Sequence, residues 1–173
     1  MQNSHINEGT KMKQAEQDNH WLKQTLNLSQ AAVDAGNHPF GALLVIDNRL
    51  ALEAENTVNT YNDATRHAEM NLVSQACQNL SESQRKEAVL YTSTEPCAMC
   101  AGAIYWSGIK QVVYACSGSE LNEIAGKSLI CHSEEVFLGA VNPPSVRSTQ
   151  SQSLIEQACE QHKKYWIEDW SCL

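Results

Sequence analysis

The 173-residue chain lacks the features that would tie it to a membrane or to a nucleic-acid backbone. Its longest uninterrupted aliphatic run, Ala42 to Ile46, falls far short of the roughly 20 apolar residues that cross a bilayer. Met1 to His20 is polar, without the apolar centre of a secretory signal, so a cytoplasmic location is expected. Basic residues are few. Twelve Lys and Arg stand against 20 Asp and Glu, for a net charge of −8, and they gather no further than pairs such as Arg85-Lys86 and Lys163-Lys164. That balance disfavours a broad phosphate-binding surface, although a small local patch is compatible with it. With 42% apolar residues, only 8 Gly and only 4 Pro, collagen-like and wholly disordered classes are excluded. What the chain does have is cysteine: seven, an odd number with no export signal, read as reduced thiols with metal ligands among them.

The length suits one compact domain. Residues 1–17 are too polar to bury much surface and read as an N-terminal tail or frayed helix start, with 18–173 as a single domain. Leu22, Leu26, Ser29 and Val33 fall at helical spacing and Gly36 suits a left-handed C-terminal cap. Gly41 to Ile46 and Leu50 to Ala54 flank Asp47-Asn48 and predict a hairpin. A second helix is expected from near Arg66, capped by Thr65, with Met70, Val73, Ala76, Cys77 and Leu80 as its buried stripe. Ala88 to Ser93 predicts a strand, Pro96 opens a helix ending at Gly108, and Gln111 to Ala115 predicts the next strand. Beyond that the pattern suggests a loop or short helix over Glu120 to Ile130 and a strand at Val136 to Leu138. A break at Pro143-Pro144 and a helix over Gln152 to Lys164 follow. Alternating strands and helices imply an α/β fold.

Chemistry concentrates in His67-Ala68-Glu69 and Pro96-Cys97-Ala98-Met99-Cys100, each expected at a helix start after a strand. If those strands are parallel neighbours, both helix N-termini meet at one edge of the sheet. Cys97 and Cys100 share a helical face, so both sulfurs reach one ion and His67 supplies a third ligand, leaving a fourth tetrahedral position for water. Two sulfurs and an imidazole select zinc over magnesium or calcium. Glu69, close to the ligands without being one, then serves as general acid and base, which is the arrangement for hydrolytic deamination. Taken alone, C-x-x-C also fits a redox pair and His67 with Glu69 a satisfied helix start. A structural zinc site completed by Cys77, Cys116 or Cys131 is the alternative for the joint pattern.

H-x-E with P-C-x-x-C is the signature of zinc nucleobase deaminases. The chain resembles the cytidine/deoxycytidylate deaminase superfamily, and within it the bacterial guanine deaminase-like enzymes. The matching stretches are Pro39-Phe40-Gly41-Ala42, Asn56 with Asn62 through Glu69, and Tyr91 through Trp106. The resemblance implies a three-layer α-β-α sandwich with a mixed sheet of about five strands, one Zn2+ per chain, and a homodimer. It implies that Asn56 holds the base and Phe40 flanks it, and it places Ala68, between ligand and glutamate, at the substrate. A turn residue for Asn56 and a core residue for Phe40 are the competing readings. Ala125-Gly126-Lys127-Ser128-Leu129 departs from the guanine deaminase pattern, which carries an acidic residue after Gly-Phe in that segment. Trp166 and Asp169 instead resemble the tail of fungal cytosine deaminases, where a Trp and an Asp three residues later close over the pyrimidine; packing of Trp166 into a groove is the alternative. The resemblance therefore implies a hydrolase releasing ammonia from a small nucleobase or nucleoside, guanine-like or cytosine-like. The competitors are a tRNA-specific adenosine deaminase, which the acidic balance disfavours, and a non-enzymatic zinc protein.

Overall fold

The computed structural model describes residues 3–126, 129 and 131–168. Helix α1 (Asn3–Asp34) leads into strands β1 (Gly41–Ile46) and β2 (Arg49–Glu55), a short α2 (Val58–Tyr61), α3 (Ala68–Asn79), α4 (Glu82–Glu87) and β3 (Val89–Thr94). Then come α5 (Ala98–Ser107), β4 (Gln111–Cys116), α6 (Gly118–Ala125), α7 (Ser133–Val136), β5 (Ser145–Ser148) and α8 (Gln152–Lys163), which ends in a π-helical turn (Lys164–Glu168).

The five strands form one mixed sheet in the order β2-β1-β3-β4-β5. β1 runs antiparallel to both β2 and β3, whereas β3, β4 and β5 are parallel. Helices cover both faces, so the central strands are apolar on both sides. Ala42, Leu44, Leu90 and Val112 point to one face and pack with Leu72, Ala76 and Ile104 from α3 and α5. Their neighbours Leu43, Val45, Tyr91 and Val113 point to the other, against Trp21, Leu22 and Leu26 of α1 and Leu154 and Ala158 of α8. This is the expected α-β-α sandwich.

Local chemistry explains several junctions. Asp47 and Asn48 both adopt positive φ (51° and 55°), the backbone of a tight two-residue hairpin turn that Asx residues tolerate. Gly36 (φ 82°) closes α1 and Gly108 (φ 85°) closes α5. Gly41 is required by close approach: a Cβ there would lie 2.5 Å from Thr25 O and 2.6 Å from Ser29 N, so β1 packs directly on α1.

Three expectations are corrected, and of the two readings of the polar N-terminal stretch the helix start is found: α1 begins at Asn3. It is held at Asp18, which accepts from Tyr91 Oη (2.8 Å) and pairs with Arg147 (3.0 Å). Thr65 does not cap α3; its N–H and O–H both bind Asp63 Oδ1, and His67 takes the cap position. The buried face of α3 is Ala68, Glu69, Leu72, Val73 and Ala76, leaving Cys77 exposed, because the sheet meets the side of the helix that carries the glutamate. Val136–Leu138 is not a strand: α7 ends there, its start held by Glu135, whose Oε2 accepts the His132 N–H at 3.0 Å, and the fifth strand lies after the prolines at Ser145–Ser148.

Candidate active site

β2 and β3 point the same way but are not neighbours, since β1 lies between them. The segment before α3 is a loop containing α2 rather than a direct strand exit. Asn71 secures that loop, its Nδ2 donating to Glu55 O and Thr57 Oγ1 at 2.9 Å each. Both helix N-termini nevertheless meet at the carboxyl edge of the sheet, because β2 and β3 run in the same direction.

His67 and Cys97 are the cap residues of α3 and α5, and neither side chain caps its helix. They turn to each other instead. Nδ1 of His67 lies 3.7 Å from Cys97 Sγ and 3.6 Å from Cys100 Sγ, and the sulfurs are 3.6 Å apart. A tetrahedral zinc ion with Zn–S of about 2.3 Å and Zn–N of about 2.0–2.1 Å requires S–S and S–N separations of about 3.8 and 3.6 Å. The triad fits that ion. No fourth His, Cys, Asp or Glu among the described residues joins the group, so Cys77, Cys116 and Cys131 do not complete it. The positive ends of two helix dipoles also favour thiolate here. A hydrogen bond from Cys100, reinforced by His67, draws the Cys97 thiol down to about 4. The Cys97 side chain in turn raises the imidazole, and its hydrogen bond together with burial pushes the Cys100 thiol up.

Glu69, in the first turn of α3, is buried beside this triad. Oε1 accepts from Thr92 Oγ1 at 2.8 Å on β3, and Oε2 lies 3.6 Å from Cys100 Sγ. Burial, reinforced by the Cys97 charge, raises its pKa above the ordinary carboxyl range. A carboxyl so placed readily takes and returns a proton.

Above the triad opens a cleft of about 460 Å³. Its floor is His67, Glu69, Cys97 and Ala98, and its wall includes His38, Phe40, Leu121, Ala125 and Trp166. Phe40 lies parallel to the His67 ring, with centroids 6.4 Å apart, and tilts against His162 at 5.1 Å. Trp166 stands 5.3 Å from the His38 ring and donates its indole N–H to His162 Nδ1 at 3.3 Å. Asn56 is fully buried behind Phe40, whose carbonyl accepts its backbone N–H. Oδ1 of Asn56 accepts from Val58 N–H, while Nδ2 has no hydrogen-bond partner. Ala68 is buried in the core under α3 and is not part of the cleft lining. Asp169 lies outside the described residues, as do Lys127 and Ser128 of the departing segment.

Two residues escaped the sequence reading. Glu95, just before Pro96, accepts from the N–H groups of Gly118 (2.9 Å) and Ser133 (3.0 Å) and pairs with His132 Nδ1 at 3.1 Å, bracing the cysteine loop against α6 and α7. An acidic residue adjoining P-C-x-x-C was the available signal. His162 is buried with Nε2 at 2.8 Å from Thr94 Oγ1; burial lowers its pKa to about 4, so it is neutral. Its one trace in the sequence is the four-residue spacing to Trp166.

Residues 15–116 match the zinc-binding region of cytidine and deoxycytidylate deaminases. A guanine deaminase of Bacillus subtilis (strain 168) is 44% identical over 104 residues, covering 60% of this chain and 67% of that protein. A probable cytosine deaminase of Schizosaccharomyces pombe is 34% identical over 158 residues, covering 88% of this chain and 94% of that protein. A solved structure from a study of A-to-I editing by tRNA:A34 deaminases superposes with a TM-score of 0.67 at 26% identity, covering 83% of this chain and 99% of that one.

Proposed function

Because this chain belongs to the cytidine and deoxycytidylate deaminase family, a family of zinc-type C–N hydrolases, we propose that it deaminates a free amino-substituted nucleobase or nucleoside. The observation that carries this reading is the three-donor triad beside a buried, unligated Glu69. Zinc held by this triad, one ion per triad, would supply a Lewis acid and lower the pKa of water toward neutrality. His67, Cys97 and Cys100 hold it, and the reaction exchanges a ring C–NH2 for C=O at the expense of one water, with ammonia leaving.

Glu69 takes a proton from the water, delivers it to the adjacent ring nitrogen, and carries a second proton to the departing amine. Thr92 keeps its carboxylate aimed at the reacting atoms by holding Oε1. Phe40 and Trp166 flank the heterocycle and exclude solvent. The unpartnered Nδ2 of Asn56 is the donor for a ring acceptor, a role that also explains a buried amide left half satisfied. Ala68 contributes through its backbone at the start of α3, and the likeness to the cytosine deaminase tail assigns Asp169 a substrate contact beside Trp166.

A small uncharged base is favoured over a tRNA strand. No Lys or Arg is found among the described residues that line the cleft, and the chain carries a net charge of −8. No described helix is long and apolar enough to cross a membrane. The proposal includes a second copy of the chain: Trp106 (84% exposed) and Leu138 (82%) stand on the surface around Tyr105, which contacts Phe137 and Val141. A mass of one chain in analytical ultracentrifugation contradicts the dimer.

The test of function is ammonia release by zinc-loaded protein from guanine, cytosine, isocytosine, adenine and their nucleosides. Turnover of at least one is expected. Silence across the panel together with inosine formation in a tRNA anticodon loop overturns the small-substrate reading.

A further inference from the structure

A second cluster of metal-ligand type lies on the opposite side of the cysteine loop. Cys116 ends β4, Glu120 is in the first turn of α6, and Cys159 is in the middle of α8. Their ligand atoms lie within 4.8 Å of one another, and the two sulfurs are 3.7 Å apart, close to the separation of about 3.8 Å set by a tetrahedral zinc thiolate pair. The catalytic pair Cys97 and Cys100 has almost the same spacing, 3.6 Å.

The carboxylate is fixed before any ion arrives. Oε2 of Glu120 accepts from both the N–H and the hydroxyl of Ser117 at 2.7 Å, so the side chain is held at the helix start. Burial raises both thiols, and Glu120 raises them further; Glu123 adds negative potential at Cys159, opposed there by Lys163. Without a cation, two neutral thiols share this corner. A soft divalent cation would displace one proton from each sulfur and find two thiolates and a carboxylate already converged.

We propose that Cys116, Glu120 and Cys159 form a second binding site for a soft divalent cation such as zinc, distinct from the His67 triad. The site joins three elements that frame the cleft. α6 carries Leu121 and Ala125 of its wall, α8 leads to Trp166, and the carbonyl of Cys116 accepts the N–H of Glu95 at the head of the cysteine loop. A cation here cross-links the wall to the sheet and is structural. It does not depend on which base the enzyme takes.

The experiment counts metal on the full-length protein by elemental analysis after equilibrium dialysis against zinc. Cadmium titration follows thiolate-to-metal charge-transfer absorbance in parallel. Wild type is expected to hold two ions per chain and Cys159→Ser one, with Cys77→Ser matching wild type. Should Cys159→Ser fold poorly, Glu120→Gln keeps the test: it is expected to weaken the second ion by roughly tenfold or more, as loss of a metal-site partner does. One ion per chain in wild type, equal uptake by Cys159→Ser, or a Cys116–Cys159 disulfide forming in place of metal uptake under zinc and reductant-free buffer overturns the proposal.

Discussion

The floor of the cleft and its wall are built by different means. The floor comes from two helix starts a few residues long, His67 to Glu69 and Cys97 to Cys100, each anchored by sheet contacts and each with its function-bearing atoms pointed by backbone geometry. The wall is assembled from places far apart in the chain: His38 and Phe40 before β1, Leu121 and Ala125 on α6, Trp166 beyond α8. On the proposed function, reaction chemistry would reside in a compact motif, while the choice of substrate would rest on contacts between distant segments. Relatives whose names assign guanine, cytosine and tRNA adenosine as substrates are consistent with a common floor under variable walls.

Substitutions on the two sides should fail in different ways. The largest effect is expected from Cys100→Ala, which removes a buried ligand: zinc occupancy at the triad and ammonia release should both fall to background, read by elemental analysis and a turnover assay. Glu69→Gln should keep the zinc and lower kcat by about 10²–10⁴-fold, the usual contribution of a positioned acid and base. Near wild-type turnover in that variant would remove Glu69 from the proton path. On the wall, Trp166→Ala should raise KM about tenfold with kcat changed less than about twofold, since stacking contributes on the order of 1–3 kcal/mol to holding a base. A loss confined to kcat would instead place Trp166 with the floor.

The last expected effect is on stability rather than turnover, through His162. Its folded pKa of about 4 lies below the unfolded value of about 6.5, so the unfolded chain binds the extra proton between those values. The contribution of neutral His162 is fully present above pH 6.5 and is lost as pH falls toward 4, with a slope approaching ~1.4 kcal/mol per pH unit for one proton. Glu69, whose pKa is raised, acts with the opposite sign. The difference between wild type and His162→Gln in urea melts from pH 7 to 4 isolates the histidine; parallel curves would contradict its assignment as a buried neutral ring.

Legibility in the sequence follows the same division. Asp47-Asn48, Gly36 and Gly108 mark turns and helix ends through their own backbone preferences, so those boundaries were readable. His67-x-Glu69 and Cys97-x-x-Cys100 were readable because each pair has local spacing and a donor pattern of its own, although the two pairs meet across 30 to 33 positions. β5 was not: Ser-Val-Arg-Ser is short, polar and at the sheet edge, and its pairing with β4 is a tertiary fact. The cap of α3 was misplaced by two residues because Thr65 has the better cap chemistry, yet its hydroxyl is engaged by Asp63. Glu95 and His162 escaped notice because their partners, Gly118, Ser133 and Thr94, lie 23 to 68 positions away.

The most direct measurement is an anomalous-diffraction crystal structure of the zinc-loaded protein. The account predicts an ion held by His67 Nδ1, Cys97 Sγ and Cys100 Sγ, with its fourth position occupied by a non-protein oxygen within hydrogen-bonding reach of Glu69. A fourth side chain on that ion, Glu69 included, would contradict it.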